Sequence, residues 1–264
     1  MPILNAVEKA VDAWFALLPQ PKPEHEAATQ AKLIAHRGAH NQDNTIIENT
    51  HQAFLLAETQ NFWGIELDVH ACKDGTLVVH HDADLQRLWN VKAKIADYDY
   101  HSLNQLAPQI PTLRSVVERF GKKIHLFIEL KSPFTALEAL AETLKPLIAC
   151  QHYHLLSLNE GIFATIEHFP RPSLLLVPLQ HNVHQFCKLS IEKGYGGVLG
   201  HYLLLTKPKI TALNQANQIA GVGFINSKYS LYRELNRGLR YLFTDNAQVV
   251  SDELNHLKHQ KQPR

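Results

Sequence analysis

The chain lacks long apolar runs. Stretches such as residues 174–179 are far too short to cross a bilayer, which excludes a helical membrane span. It also lacks an excess of either charge: 26 basic and 25 acidic side chains leave a formal +1, so composition points to no nucleic-acid partner. Cysteine is scarce. Cys72, Cys150 and Cys187 are an odd number without metal-ligand spacing, and a reduced, cytoplasmic protein is the simplest expectation. No basic region precedes the first apolar stretch, so no secretory signal is expected. Internal repeats and low-complexity tracts are absent as well.

What is there is bulk and alternation. The 264 residues, 45% of them hydrophobic, suffice for one large core, arranged as a single α/β barrel or as two smaller domains. With 17 histidines in the chain, a lone His says little. Val7, Val11, Trp14 and Leu18 recur at helical spacing, widened by Phe15 and Leu17, and Pro19, Pro21 and Pro23 end that pattern. Residues 1–30 therefore read as an N-terminal helix and Pro-rich linker, a cover for one end of a single domain over 31–264. The Glu8, Lys9 and Asp12 face lacks the Lys/Arg enrichment of an anionic-lipid surface helix. Peripheral membrane contact and oligomeric state stay open.

From Lys32 onward strand-like and helix-like segments alternate. Nine strands are expected, at 32–35, 64–69, 77–79, 123–130, 155–158, 174–179, 197–199, 222–226 and 241–244. Helices are expected at 49–59, 113–120, 135–148, 161–168, 183–193 and 209–220. The 64–69 and 77–79 pair flanks Asp74-Gly75, a strong hairpin signal, so the 77–79 strand must be antiparallel. Eight strands remain for a parallel set, and repeated βα units of that number predict a (β/α)8 TIM barrel with an extra hairpin strand. Residues 85–111 show no clear pattern and read as an insertion over the barrel mouth.

Chemistry is concentrated in residues 64–82. Glu66 and Asp68 alternate with Ile65, Leu67 and Val69, so both carboxylates share one strand face. A two-residue hairpin loop would set His81 opposite Asp68; a one-residue bulge at Gly75 would set His80 there instead. Other strand ends offer His36 and Arg37 with Glu48 just beyond, Glu129 with Lys131, and Thr244 with Asp245. Each alone has an ordinary structural explanation. Together they do not, because clustered carboxylates repel one another unless a cation intervenes, and oxygen ligands of this kind suit Ca²⁺ or Mg²⁺. Histidines beside such a cation can act as acid and base near neutral pH, and Arg37 and Lys131 suit a phosphate. The residues point to metal-assisted phosphoester hydrolysis.

The motifs I-A-H-R-G (34–38), E-N-T (48–50), E-L-D-V (66–69), K-D-G (73–75), V-V-H-H-D (78–82) with Leu85 and Arg87, and I-E-L-K (128–131) resemble the glycerophosphodiester phosphodiesterase family in type, order and spacing. The resemblance runs from about Leu33 to Asp245. It implies a barrel enzyme that hydrolyses glycerophosphodiesters to glycerol 3-phosphate and an alcohol, using one divalent cation, Ca²⁺ or Mg²⁺. It implies Glu66, Asp68 and Glu129 as metal ligands, and His36 and His81 as the acid/base pair, the family histidine standing directly before the aspartate. Arg37 and Lys131 would hold phosphate, with Glu48 supporting the substrate. The chain departs from the pattern at Ile47, where Pro is common. It departs again at V-G-F-I-N (222–226), where an aromatic W-T-V-N-like run is usual. The short segment after Arg87 implies an open site that would admit lysophospholipids. A lysophospholipase D on the same barrel, and a non-catalytic phosphoester-binding barrel, are the competing readings.

Overall fold

The computed structural model describes residues 13–41, 43 and 45–259. Nine strands form: β1 Lys32–Ala35, β2 Gly64–Ala71, β3 Leu77–Val79, β4 His125–Leu130, β5 Tyr153–Ser157, β6 Leu174–Leu176, β7 Gly197–Gly200, β8 Ile219–Val222 and β9 Tyr241–Thr244. Eight pair parallel in the order β1-β9-β8-β7-β6-β5-β4-β2, and β1–β2 pairing closes the ring. β3 adds antiparallel to the far end of β2. The (β/α)8 barrel with its hairpin strand is therefore the fold.

Six strands differ from the expected bounds by one to four residues at an end, most of all β8. β8 begins at Ile219, inside the stretch read as helix, because the helix there stops at Gln215 and the chain turns through Asn217 at φ 56°. β5 begins at Tyr153, two residues early. Among helices not expected from the sequence are Lys228–Asn236, opened by a Ser227 capping box, and Ala247–His259. The helix expected near the N-terminus falls largely outside the described residues; residues 13–17 of it are helical. The stretch read as linker carries a further helix, His25–Gln30, whose Ala28 is fully buried in the main core.

The hairpin takes the bulged register. Val69, His70 and Ala71 pair with Val79, Val78 and Leu77, and Gly75 sits at φ 80° in the three-residue loop. Residues 85–111 pack on this hairpin as a small apolar cluster of their own, with Leu85, Ile95, Leu103 and Ile110 against Cys72 and Val78.

Strand alternation stacks the barrel interior in tiers. The middle tier is apolar: Ile34, Phe127, Leu156, Leu175, Leu199 and Phe243. Two residues earlier on four of these strands lie Lys32, His125, His154 and Tyr241, which form the floor with Trp63. Lys32 donates to the Tyr241 hydroxyl at 2.9 Å and lies 4.3 Å from the Trp63 ring centre. His125 stacks on Trp63 and accepts from His154 Nδ1 at 2.7 Å. Two residues later lie His36, Glu129, Leu158, Val177, His201 and Asp245, all lining the cavity at the mouth. The opposite strand faces, such as Ile65, Leu67, Leu126 and Ile128, are fully buried beneath the helices, each contributing about 1.5–3 kcal/mol of hydrophobic stabilisation.

Candidate active site

The mouth cavity holds about 430 Å³. Its charged half is built from the ends of β1, β2, β4 and β9. At β1 the chain passes from His36 through Arg37 at φ 54° to Gly38 at φ 79°. A Cβ on Gly38 would lie 2.8 Å from that of Ala53, so only glycine lets this turn tuck beneath helix His51–Thr59. The turn aims the Arg37 amide at Glu66 Oε2, 3.1 Å away.

Glu66, Asp68 and Glu129 each present a carboxylate oxygen, all within 4.8 Å of one another. Burial and the neighbouring Asp68 push the Glu66 carboxyl up to about 8. Burial and Asp68 also raise Glu129. Burial works against ionising Asp68 too, but Lys131 and Arg37 hold it well below the usual carboxylate range. Lys131 Nζ lies 2.7 Å from Asp68 Oδ1 and bonds Glu129 as well. Asp68 Oδ1 is nevertheless buried without a well-aligned hydrogen bond, whereas Oδ2 accepts from Asn49 at 2.8 Å.

An ion-pair chain leads outward. Arg37 donates to Glu48 at 3.0 Å, and Arg87 grips the same carboxylate at 2.6 and 3.1 Å. Arg87 also donates to Asp82 at 2.6 Å. Arg87 thus ties the insertion to the charged wall. Its guanidinium and that of Arg37 lower the Glu48 carboxyl despite the opposing effect of burial.

The two histidines are arranged alike. His36 Nδ1 lies 2.5 Å from Asp245 Oδ1 and its Nε2 lies 3.7 Å from Glu66. Burial opposes its charging, yet Glu66 and Asp245 prevail and raise it to about 9. His81 Nδ1 lies 2.8 Å from Asp82 Oδ1. Burial lowers its pKa, partly offset by Asp68. In each case a carboxylate at Nδ1 fixes the ring and leaves Nε2 for other partners.

The hairpin register and the imidazole position part company. His80 is the cross-strand neighbour of Asp68, bonding its carbonyl through the backbone at 2.9 Å. Its ring turns away instead: Nδ1 donates to the Asp82 carbonyl at 2.8 Å and Nε2 accepts from Trp89 at 3.3 Å. His81 is the one within electrostatic reach of Asp68, Arg37 and Lys131. The ladder ends at Val79, so two-residue alternation no longer governs the next side chains.

All eight residues singled out in the sequence, His36, Arg37, Glu48, Glu66, Asp68, His81, Glu129 and Lys131, meet in this network. Sequence reasoning gave no role to Asp245, Asn49, Asp82 or Asn226, although Thr244-Asp245 stood out at the end of the last strand. Asn226 holds Asp245 by accepting from its amide at 2.8 Å and donating to its carboxylate at 3.2 Å.

The donor set fits a divalent cation. Six carboxylates (Glu48, Glu66, Asp68, Asp82, Glu129 and Asp245) face three fixed cations, Arg37, Arg87 and Lys131. Positive charge is in deficit where three of the acids converge, and the upward shifts of Glu66 and Glu129 express that deficit.

A closed parallel barrel with acids, imidazoles and fixed cations at the carboxyl ends of its strands has the layout of a barrel enzyme, with its polar groups where such enzymes carry their active sites. Comparison with known proteins agrees. Residues 36–152 match the model of the glycerophosphoryl diester phosphodiesterase family. A glycerophosphodiester phosphodiesterase of Bacillus altitudinis is 29% identical over 239 residues, covering 81% of this chain and 94% of that protein. The crystal structure of a glycerophosphodiester phosphodiesterase from Thermotoga maritima superposes with a TM-score of 0.70 at 24% identity, over 83% of this chain and 96% of that one. A rat lysophospholipase D, GDPD1, is 38% identical over 92 residues, which are 34% of this chain and 28% of that protein. The chain is thus similar, over most of its length, to members of the glycerophosphodiester phosphodiesterase family, which are phosphoric diester hydrolases.

Proposed function

We propose that this chain, with residues 31–264 as its one barrel domain, hydrolyses glycerophosphodiesters to glycerol 3-phosphate and an alcohol with the help of one divalent cation. The observation that carries this reading is the convergence of Glu66, Asp68 and Glu129 between two imidazoles and two fixed cations. Those three carboxylates would hold Ca²⁺ or Mg²⁺, which when bound supplies Lewis-acid polarisation of a phosphoryl oxygen. Arg37 and Lys131 orient the phosphate by charge. His36 Nε2 lies beside Glu66, and His81 is within electrostatic reach of Asp68. One takes a proton from the nucleophile, either water or the neighbouring glycerol hydroxyl, and the other gives one to the leaving alkoxide; on the second route water then opens the cyclic phosphate to glycerol 3-phosphate. Asp245 and Asp82 hold the two rings at Nδ1. A cytoplasmic location belongs to this reading, supported by three unpaired cysteines. Among the described residues no helix is long and apolar enough to cross a membrane.

A second reading, lysophospholipase D, is favoured by one feature. The uncharged half of the cavity is lined by Leu156, Leu158, Val177, Leu179, Phe224 and Phe243, more apolar surface than a glycerol or choline moiety needs. Turnover of glycerophosphocholine and of lysophosphatidylcholine, each with EDTA and with added Ca²⁺ or Mg²⁺, tests both. Glycerol 3-phosphate released from the first substrate supports the main reading. Release only from the second supports the alternative, and no metal-dependent release from any diester overturns both.

A further inference from the structure

One end of the molecule gathers its exposed apolar side chains. Leu158, Leu179, Leu203 and Phe224 stand on the loops that follow β5, β6, β7 and β8, all at the mouth, and each is more than a third exposed. Phe224 is half exposed and sits at φ 63°, a left-handed conformation that costs a bulky residue about 1–2 kcal/mol. The backbone bears that strain where it aims an aromatic ring at the opening.

The N-terminal helical turn joins this rim. Its Ala16 carbonyl accepts from Ser227 Oγ at 2.9 Å, beside the loop after β8. Phe15 packs edge-on against Tyr202 of the loop after β7, with the Arg233 guanidinium over both rings. With Phe15 turned inward, Trp14 and Leu17 face outward at 65% and 75% exposure. The other exposed large apolar residues, Leu55, Leu106, Ile148, Ile191 and Val249, stand singly on separate elements.

The loops after β6, β7 and β8 carry no formal charge at the rim. Residues 177–182, 201–206 and 223–227 contain no Asp, Glu, Lys or Arg. Contact with lipid there would strip no formal charge of water. Tryptophan and leucine are side chains that settle at the boundary of headgroup and acyl chain. A second copy of this chain seated on the same face would cover the apolar half of the cavity, which lipid docking would instead present to its substrate.

We propose that the mouth end, through Trp14, Leu17, Leu203 and the neighbouring loops, docks onto a zwitterionic lipid surface and presents the cavity to it. The contact is apolar, so anionic lipid is not required. The proposal goes beyond the hydrolysis reading, and binding is read without turnover, so either can fail alone.

The test is flotation of the full chain with phosphatidylcholine vesicles, comparing wild type with Trp14→Ser/Leu17→Ser/Leu203→Ser. Wild type should float, and brominated phosphatidylcholine should quench Trp14 fluorescence, with Trp14→Phe as control. The triple variant should lose about tenfold or more in partitioning, while its melting temperature and its kcat/KM on water-soluble glycerophosphocholine stay at wild-type values. Should the triple variant misfold, the quenching of Trp14 in wild type decides alone. No flotation of wild type, equal flotation of the variant, flotation confined to phosphatidylglycerol vesicles, or conversion of a solution dimer to monomer by the variant would each overturn the proposal.

Discussion

Asp245 Oδ1 stands 2.5 Å from His36 Nδ1, although 209 positions separate the two residues. Closure of the barrel makes the contact: Ala35 of β1 pairs with Thr244 of β9, so the next residue of each strand meets at the mouth. Asp245→Asn should leave the ring in place but remove the carboxylate that helps raise its pKa. The expected result is a fall in kcat of about 10- to 100-fold with KM little changed. The His36-dependent limb of the pH–rate profile should move to lower pH. A purely structural Asp245 would give a lowered melting temperature and an unshifted profile.

His81 and His80 should separate cleanly. His81→Ala, like His36→Ala, should cost about 10²–10⁴-fold in kcat, the size of one acid–base contribution. On a p-nitrophenyl diester, whose leaving group needs little protonation, the variant lacking the acid should recover and the other should not. His80→Ala should instead destabilise the protein by about 1–3 kcal/mol, because the buried ring bonds the Asp82 carbonyl and the Trp89 indole. Its folded fraction should keep near-wild-type kcat. A dead but stable His80→Ala would reverse the assignment.

Asp68 is the carboxylate that Lys131 and Arg37 keep ionised. Asp68→Asn should weaken divalent-cation binding by titration calorimetry far more than Asp74→Asn. Asp74 only caps the hairpin loop, accepting from the amides of Thr76 and Tyr100 at 3.1 and 3.2 Å. EDTA should abolish turnover and added Mg²⁺ or Ca²⁺ restore it; full activity of metal-stripped enzyme would sink the metal reading.

The floor of the barrel should set acid stability. Burial, then the neighbouring His154, lowers His125 from 6.5 to about 3, and burial lowers His154 from 6.5 to about 4. The unfolded chain therefore binds more protons than the folded one between those values. The stability due to the neutral pair is complete above pH 6.5 and is lost as pH falls toward 3–4. Melting temperature should drop through that window. A His125→Phe/His154→Leu variant, if it folds, should show a flatter acid limb, and an identical limb would count against the pair.

The fold and the charged wall were legible because both depend on short-range rules. Alternation in Gly64–Val69 put Glu66 and Asp68 on one face, and Asp74-Gly75 announced the hairpin. What escaped the sequence depends on closure or on side chains beyond the last ladder pair. Asp245 meets His36 only because β9 returns beside β1. The choice between His80 and His81 eluded geometry because the chain leaves the ladder at Val79, and register there predicts backbone partners without predicting ring direction. Helices such as Lys228–Asn236 were missed because their cap, Ser227 with Ser230, lacks the usual Glu or Gln.

The apolar middle tier of the barrel is also an insulating partition. The groups that shift His36 all lie above it, and those that shift His125 all lie below it. The two ends of one eight-stranded ring therefore titrate as separate compartments. Acid tolerance could be rebuilt at the floor by changing His125 and His154 alone, leaving the proton inventory of the mouth as it was.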